Sequence, residues 1–359
     1  MKTGQLGKWL RTAALVSTAV VFAVSVPSSE GSAAEKVRVG TAVSWPGYGL
    51  MHLAQVKGLS PDLEFEITIL NDPLNGHSLL AANQLDVYES TVDYIPVAIE
   101  NGLKVKNVTY SNISYGVDHI IAAPGVESGD DIRGKRVAAP DAFIGELLMG
   151  VWLDKMGVGV DEVEWVNLNA DEAVGAIMAG DLVAAYVYDP WSTQVLENLP
   201  GTTKAAHSDE PYLLKTAMFA DSVFMSDQFI AEHRETAKKV IQARWDGLEW
   251  WRANPAEGNQ IIADHLQWPV TDVEFVIGKT GNMLEDATLY MYSFLEAARF
   301  CGVADGDAPF EQPNGVFYDM VKMTNEWWMK LGLVKEMHDP ALGIDCSLMQ
   351  ELVDSGYGS

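Results

Sequence analysis

Short β-strand patterns alternate with helical patterns over much of this 359-residue chain. Residues 63–70 alternate apolar and polar side chains with a period of two, which is typical of a strand with one buried face. Residues 145–156 have helical periodicity and stop at Gly157, a residue type that commonly ends a helix. Strands and helices that alternate at this spacing predict βαβ units and a largely parallel sheet. We therefore expect an α/β fold.

A short internal repeat indicates that the α/β pattern is used twice. Residues 80–85 (Leu-Ala-Ala-Asn-Gln-Leu) resemble residues 177–182 (Ile-Met-Ala-Gly-Asp-Leu), and each segment joins a predicted helix to a predicted strand. Two similar segments in equivalent contexts favour two lobes that are built on one plan. Beyond residue 227 the pattern is almost wholly helical and includes a predicted helix over residues 286–300.

Residues 1–34 have the pattern of a secretory signal peptide. Three basic residues precede an apolar run from 13 to 26, which is too short to span a bilayer as a helix. Small residues then form an A-x-A-like site, which predicts cleavage near Ala34. An uncleaved membrane anchor is the alternative interpretation. We expect an exported protein whose mature chain begins at Glu35.

The charge of the chain argues against two classes of partner. It has 24 Lys and Arg residues against 50 Asp and Glu residues, a formal net charge of −26 at pH 7. A surface this negative repels nucleic acid and anionic lipid headgroups. We therefore expect no nucleic-acid partner.

The chain has two cysteines, Cys301 and Cys346. In an oxidising compartment, two cysteines without a third predict one disulfide bond. A metal site is the weaker alternative, because neither cysteine has a second cysteine or a histidine at ligand spacing. The sequence therefore predicts a disulfide and no metal site.

Sequence motifs of common enzyme classes are missing from the chain. It has no G-x-S-x-G elbow, no Walker loop, no G-x-G-x-x-G after a strand and no H-E-x-x-H. Together with the predicted export, this favours binding over catalysis, and we expect neither enzyme activity nor a cofactor.

Aromatic and acidic residues follow the predicted strands, where α/β proteins bind their ligands. The candidate site residues are Trp45, Tyr48, Glu89, Ser90, Asp93, Tyr115, Asp118, Phe143, Glu146, Asp189, Trp191 and Asp221. Aromatic faces and carboxylates without Lys or Arg suit a cationic or amine-bearing ligand. The structural alternatives are that Trp45 and Trp191 pack in the core and that Asp118 caps local structure.

Short motifs also occur in a characteristic order along the chain. They are Trp-Pro-Gly-Tyr at 45–48, Gly-Lys-Arg-Val-Ala-Ala-Pro at 134–140, Val-Asn-Leu at 166–168, Ala-Gly-Asp at 179–181 and Asp-Pro-Trp at 189–191. This succession resembles the nitrate/sulfonate/taurine-type substrate-binding proteins of ABC importers. That family shares a superfamily with binders of thiamine-pyrimidine precursors. The likeness covers most of the chain after the signal peptide and weakens beyond about residue 260.

The resemblance implies a type II periplasmic-binding-protein fold. In this fold two α/β lobes are joined by two crossovers and close on the ligand like a hinge. The crossovers would lie near residues 122–125 and 218–222. Lobe 1 would comprise residues 35–123 together with 221–359, which include the C-terminal helices, and lobe 2 would comprise residues 124–220.

One segment departs from the pattern of the family. In taurine and sulfonate binders, the residues after the Pro140 position form a hydroxyl-rich run with a His at a helix N-terminus, which suits an anion. Residues 143–146 of this chain read Phe-Ile-Gly-Glu. A carboxylate at this place would repel nitrate or a sulfonate. The segment therefore favours a cation, a zwitterion such as taurine, or a neutral pyrimidine-like molecule.

The resemblance implies a periplasmic solute-binding protein of an ABC importer. Such a protein would capture a small nitrogen-containing organic solute between its lobes and dock transiently, as a monomer, on the permease in the inner membrane. Two alternatives stay open. A thiamine-pyrimidine synthase is related to the superfamily, but it depends on a cysteine-rich motif that this chain lacks. The other alternative is a ligand-sensing receptor domain.

Overall fold

The computed structural model describes residues 34–358, apart from the side chains of residues 73 and 74. The predicted signal peptide lies outside these residues except for Ala34, so it stays a prediction. Within the described part of the chain, no helix is both long and apolar enough to span a bilayer.

Strands and helices are mixed along the chain as far as residue 226, and helices predominate after it. The strands are β1 Glu35–Thr41, β2 Leu63–Ile69, β3 Val87–Thr91, β4 Val105–Ser114, β5 Asp118–Ala122, β6 Arg136–Ala138, β7 Glu164–Val166, β8 Ala184–Tyr188, β9 Thr203–His207, β10 Ala220–Ser226 and β11 Leu289–Met291. The α-helices are α1 Leu50–Val56, α2 Pro73–Ala81, α3 Ile95–Glu100, α4 Ile144–Lys155, α5 Ala170–Met178, α6 Trp191–Asn198, α7 Pro211–Thr216, α8 Asp227–Glu232, α9 Arg234–Ala253, α10 Pro255–Leu266, α11 Val270–Ile277, α12 Met283–Asp286, α13 Phe294–Phe300, α14 Val316–Lys330 and α15 Ser347–Asp354.

The strands form two sheets that share one plan. The first sheet has the order β11-β4-β10-β3-β1-β2, and the second has the order β7-β6-β8-β5-β9. In each sheet one strand, β1 or β6, lies between two parallel neighbours. Each sheet also contains one interior reversed strand, β10 in the first and β5 in the second, which pairs antiparallel on both sides, and the edge strand β11 of the first sheet is reversed as well. The predicted α/β class is confirmed.

The chain changes sheet at two places. Strand β4 of the first sheet ends at Ser114 and β5 of the second sheet begins at Asp118, whereas α7 ends at Thr216 and β10 begins at Ala220. The expected crossover near 122–125 thus lies one strand later than the first change of sheet, because β5 already pairs with β8 and β9. The limits of the two lobes along the chain stay a prediction.

The internal repeat in the sequence marks equivalent positions in the two sheets. Residues 80–85 connect α2 to β3, and residues 177–182 connect α5 to β8. Both connections contain a residue with a left-handed backbone, Asn83 with a φ of 56° and Gly180 with a φ of 81°. Glycine and asparagine adopt this conformation at low cost, so the same turn explains both residue types.

The C-terminal third supplies packing and one extra strand. Trp245, Trp251 and Trp328 are fully buried, and Cys301 and Cys346 form the predicted disulfide bond. The prediction of one helix over residues 286–300 is wrong, because β11 pairs with β4 and extends the first sheet. Periodicity alone could not reveal this pairing, since it depends on a strand far away in the sequence.

A buried ion pair ties the long helix α9 to the first sheet. The Arg244 Nε donates to Glu89 Oε1 at 3.1 Å, and both side chains are almost fully inaccessible to solvent. Arg244 also donates to the backbone oxygen of Gly47 at 3.4 Å. Burial raises the pKa of the Glu89 carboxyl to about 7, although the guanidinium beside it acts in the opposite direction. The pair therefore positions the chain segment that follows β1.

Replacing Arg244 should strongly destabilise the fold. We expect Arg244→Met to lower the free energy of unfolding by about 3–5 kcal/mol, because it leaves the Glu89 carboxyl buried without its partner. Urea denaturation followed by circular dichroism measures this change. Arg136→Met, which breaks an exposed pair with Glu164, is the control and should have a much smaller effect. Equal losses in the two variants would contradict this account of the buried pair.

Candidate functional site

A cleft between the two sheets brings together residues from both of them. It encloses about 390 Å³ of empty space, including its mouth, and we call it the inner cleft. Its lining residues are Val43, Trp45, Tyr48, Thr91, Asn112, Ser114, Asp118, Phe143, Ile144, Tyr186, Tyr188, Phe219, Asp221 and Leu289. The carboxyl ends of β1, β3, β4 and β8 and the first residues of β5 and β10 meet here, as expected for an α/β binding site.

Asp221 holds the aromatic residues that follow β1. The Trp45 Nε1–H donates to Asp221 Oδ2 at 3.0 Å, and the Tyr48 hydroxyl donates to Asp221 Oδ1 at 2.9 Å. Burial raises the pKa of the Asp221 carboxyl to about 7, the hydrogen bond from Tyr48 lowers it, and the charge of Asp118 raises it further. Asp221 is thus a buried acid without a cationic partner.

Asp118 is the second carboxylate of the inner cleft. It begins β5 and accepts a hydrogen bond at 2.5 Å from the hydroxyl of Tyr186 on the neighbouring strand β8. Burial raises the pKa of the Asp118 carboxyl, while hydrogen bonds from Ser114 and Tyr186 act in the opposite direction. Two acids with raised pKa values therefore face one cleft.

Aromatic rings form much of the remaining wall. The rings of Trp45 and Tyr188 meet edge to face, with centroids 5.5 Å apart, and Phe143 and Phe219 are buried beside the same space. Among the residues that the structure describes, no Lys, Arg or His lines the inner cleft. Aromatic faces and carboxylates both attract positive charge, so this arrangement suits a cation.

The inner cleft also offers an unused hydrogen-bond acceptor. The side-chain oxygen of Asn112 is buried and has no hydrogen-bond partner within the described part of the chain. Leaving such an oxygen unpaired costs free energy unless a ligand or water donates to it. Together with Asp118 and Asp221, it makes the cleft rich in acceptors, which a ligand with several N–H groups could satisfy.

The predicted site residues divide between this cleft and other places. Five of them line the inner cleft, namely Trp45, Tyr48, Asp118, Phe143 and Asp221. Trp191 lines an adjoining space with an empty volume of about 780 Å³, again including its mouth, which we call the outer cleft. The other six predicted residues line neither cleft.

The side chain of Glu146 folds back toward the start of its own helix, α4. Its carboxylate accepts a hydrogen bond at 2.6 Å from the Ala142 N–H, where the backbone has a left-handed φ of 49°. Glu146 therefore satisfies a backbone donor at the start of α4, where a negative charge is favourable. Burial raises the pKa of Glu146 to about 7. The place expected to hold an anion is thus occupied by a carboxylate of the protein itself.

Asp189 is held by a separate network below the cleft. It accepts hydrogen bonds from the hydroxyls of Ser192 and Thr193. Its second oxygen lies 3.9 Å from His119 Nδ1. Because these groups already engage Asp189, a bound solute would have to compete with them.

The remaining four predicted residues also lie outside both clefts. Asp93 is fully inaccessible, and burial raises the pKa of its carboxyl to about 7. Glu89 is paired with Arg244 as described above. Ser90 is buried within β3, and the ring of Tyr115 packs against Phe310 with centroids 5.4 Å apart.

Several lining residues escaped the sequence prediction. Asn112 lies on β4 and Leu289 on β11, two strands for which the sequence shows no clear alternation. Tyr186 and Tyr188 lie two residues apart on β8. Their shared face was the available signal, because residues at i and i+2 of a strand point to the same side. Within residues 34–358, no group of three or more His, Cys, Asp or Glu residues is arranged to hold a metal ion.

The raised pKa of Asp221 predicts a pH-dependent stability. A carboxyl whose pKa is raised to about 7 by folding stabilises the native state at low pH, and this contribution is lost as the pH rises from about 4 to about 7. Asp221→Asn removes the titration, so the variant should become more stable relative to the wild type as the pH rises from 5 to 8. Thermal melting of the ligand-free proteins measures this difference.

Asp130→Asn is the matched control, because Asp130 is 90% exposed. Its stability difference from the wild type should stay nearly constant over the same pH range. A variant that stays at the same stability relative to the wild type, or becomes less stable relative to it, as the pH rises would contradict the raised pKa.

Comparison with known proteins gives a family match over more than half of the chain. Residues 49–258 match the family described as NMT1/THI5 like. A protein of Brucella abortus (strain 2308) is 26% identical over 286 residues, which cover 78% of this chain and 85% of that protein.

Solved structures share the fold at low sequence identity. The periplasmic nitrate-binding protein NrtA of Synechocystis PCC 6803 has a TM-score of 0.67 at 10% identity. The alignment covers 90% of this chain and 89% of the NrtA chain. The alkanesulfonate-binding protein SsuA of Xanthomonas axonopodis pv. citri, bound to MOPS, has a TM-score of 0.65 at 14% identity and covers 86% of this chain and 98% of its own. The predicted periplasmic-binding-protein fold is confirmed.

Proposed function

Because the chain belongs to the NMT1/THI5-like family, we propose that it is the solute-binding component of an ABC importer and captures a small, positively charged, nitrogen-containing solute. The solute would lie in the inner cleft and would be enclosed when the two lobes close on it. The fold shared with a nitrate-binding and an alkanesulfonate-binding protein supports the receptor role.

The proposal that the ligand is positively charged rests on the pair of buried carboxylates in the inner cleft. Asp118 and Asp221 both face a space walled by aromatic rings, and no lining residue that the structure describes is Lys, Arg or His. A bound cation would supply the positive charge that the protein does not. An ammonium, an amidinium or a protonated aminopyrimidine combines this charge with several N–H donors.

The start of helix α4 argues against a simple anion. In this chain the Glu146 carboxylate accepts a hydrogen bond from the backbone N–H of Ala142. An anion at this helix start would have to displace Glu146 and would also face Asp118 and Asp221. We therefore propose a ligand class different from those of the two solved neighbours named above. A zwitterion such as taurine would find partners for its ammonium group alone.

The setting that we propose is the periplasm. The signal-peptide pattern of residues 1–34 and the periplasmic nitrate-binding neighbour support it. The closed form would dock on the importer's permease in the inner membrane. We also propose that the protein returns its solute unchanged. In support of this, both cysteines are engaged in the disulfide, which leaves no free thiol for the chemistry of the related synthase.

A ligand screen tests the proposal most simply. The exported form, residues 35–359, should be melted in the presence of primary amines, amidines, aminopyrimidines, taurine, alkanesulfonates and nitrate. We expect the melting temperature to rise with the cationic compounds and not with nitrate or alkanesulfonates. Mass spectrometry should recover the bound compound unchanged. Stabilisation by the anions alone, or by none of these compounds, would contradict the proposal.

Neutralising either carboxylate should weaken the binding of a cation. We expect Asp221→Asn and Asp118→Asn each to lower the affinity for the best cationic compound by about 10-fold or more. The reason is that a hydrogen bond to a charged group contributes about 1.5–3 kcal/mol. Isothermal titration calorimetry at pH 8 measures the change. Asp130→Asn, an exposed carboxylate, is the control and should bind like the wild type. An unchanged affinity in both cleft variants would remove these carboxylates from the site.

A further inference from the structure

The inner cleft lies next to the larger outer cleft. The two spaces share three lining residues, Val43, Phe143 and Tyr188. The inner cleft encloses about 390 Å³ of empty space and the outer cleft about 780 Å³, in both cases with the mouth included. A small charged group bound between Asp118 and Asp221 would therefore leave the adjacent outer cleft unfilled.

Two tryptophans from different parts of the fold line the outer cleft. Trp191 begins α6 beside the second sheet. Trp268 lies between α10 and α11 and follows Gln267, whose left-handed φ of 58° ends α10. Both tryptophans are half-buried. Half-buried tryptophans at a cleft provide flat apolar faces on which a ring can pack.

The polar groups of the outer cleft suit a neutral or positively charged group. Asn71, Asn169 and Ser44 can form hydrogen bonds, and the Ser44 hydroxyl is buried without a partner in the described part of the chain. The one ionisable side chain among the lining residues that can carry a negative charge near neutral pH is Asp171, and none of the lining residues described is Lys, Arg or His. An anionic group would find no cationic side chain here.

We infer that the outer cleft is a second binding subsite and that the natural solute has two parts. One part is a small cationic head for the inner cleft, and the other is a ring with hydrogen-bonding groups that packs against Trp191 and Trp268. This inference rests on the proposed function, because it assigns the head to Asp118 and Asp221. It adds that the solute is not a simple amine and that its second part carries no negative charge.

Three compounds with the same head separate the two clefts. n-Butylamine carries an ammonium head alone, 4-phenylbutylamine adds a ring on a flexible chain, and 5-aminopentanoate adds a carboxylate. With the exported form, we expect 4-phenylbutylamine to bind about fivefold to tenfold more tightly than n-butylamine, because it gains contacts between aromatic rings. We expect 5-aminopentanoate to bind more weakly than n-butylamine. Isothermal titration calorimetry gives the three affinities.

Variants of the two tryptophans show which residues provide the additional affinity for 4-phenylbutylamine. Trp191→Ala and Trp268→Ala should each reduce the advantage of 4-phenylbutylamine and leave the affinity for n-butylamine unchanged. Trp327→Ala, on helix α14 and in neither cleft, is the control and should keep the advantage. Because Trp191 and Trp268 lie in different parts of the fold, either variant alone is sufficient for the test if the other does not fold.

The outcomes distinguish a failure of the second-subsite proposal from a failure of the proposed function. If neither amine binds, the proposed function fails and the two-part ligand fails with it. If both amines bind equally, or if the tryptophan variants keep the advantage of the ring, the second subsite is wrong while the cation receptor stands. Tighter binding of 5-aminopentanoate than of n-butylamine would overturn the exclusion of a negatively charged second part.

Discussion

The constraint on which the rest of this structure depends is the burial of two acidic side chains, Asp118 and Asp221, in one cleft. Asp118 begins β5 and Asp221 lies at the start of β10, and each of these strands runs antiparallel to both of its neighbours in its sheet. The chain enters each of these two strands just after it has passed from one sheet to the other. The exchange that connects the two sheets therefore also places both carboxylates at the cleft. In apolar surroundings they require protons or a cation.

Two other buried acids, Glu89 and Glu146, show how the protein can compensate such charges by itself. Glu89 lies against the guanidinium of Arg244, and Glu146 caps the start of its own helix. Asp118 and Asp221 instead receive hydrogen bonds from aromatic side chains, which orient them but supply no positive charge. This difference separates the carboxylates that maintain the fold from those that we propose to bind a solute.

The sequence predicted the α/β class, the family and the disulfide, because alternation, motif order and cysteine count are local or countable features. It did not predict β11, since a short strand without alternation cannot be told from a helical segment by periodicity alone. For the site, it found acids and aromatic residues that follow strands, but it could not tell Glu89 from Asp221. That distinction depends on Arg244, which lies 155 residues after Glu89. Tertiary partners of this kind have no local signature.

The most direct test of the central claim is the number of protons exchanged on binding. Calorimetric titration of the best-binding amine at pH 6, in two buffers with different ionisation enthalpies, measures this number. At this pH the Asp221 carboxyl, whose pKa is raised to about 7, is mostly protonated before the ligand arrives. A cation that pairs with the carboxylates should therefore release protons. Proton uptake, or no exchange at all, would contradict an account in which Asp118 and Asp221 hold the charge of the solute.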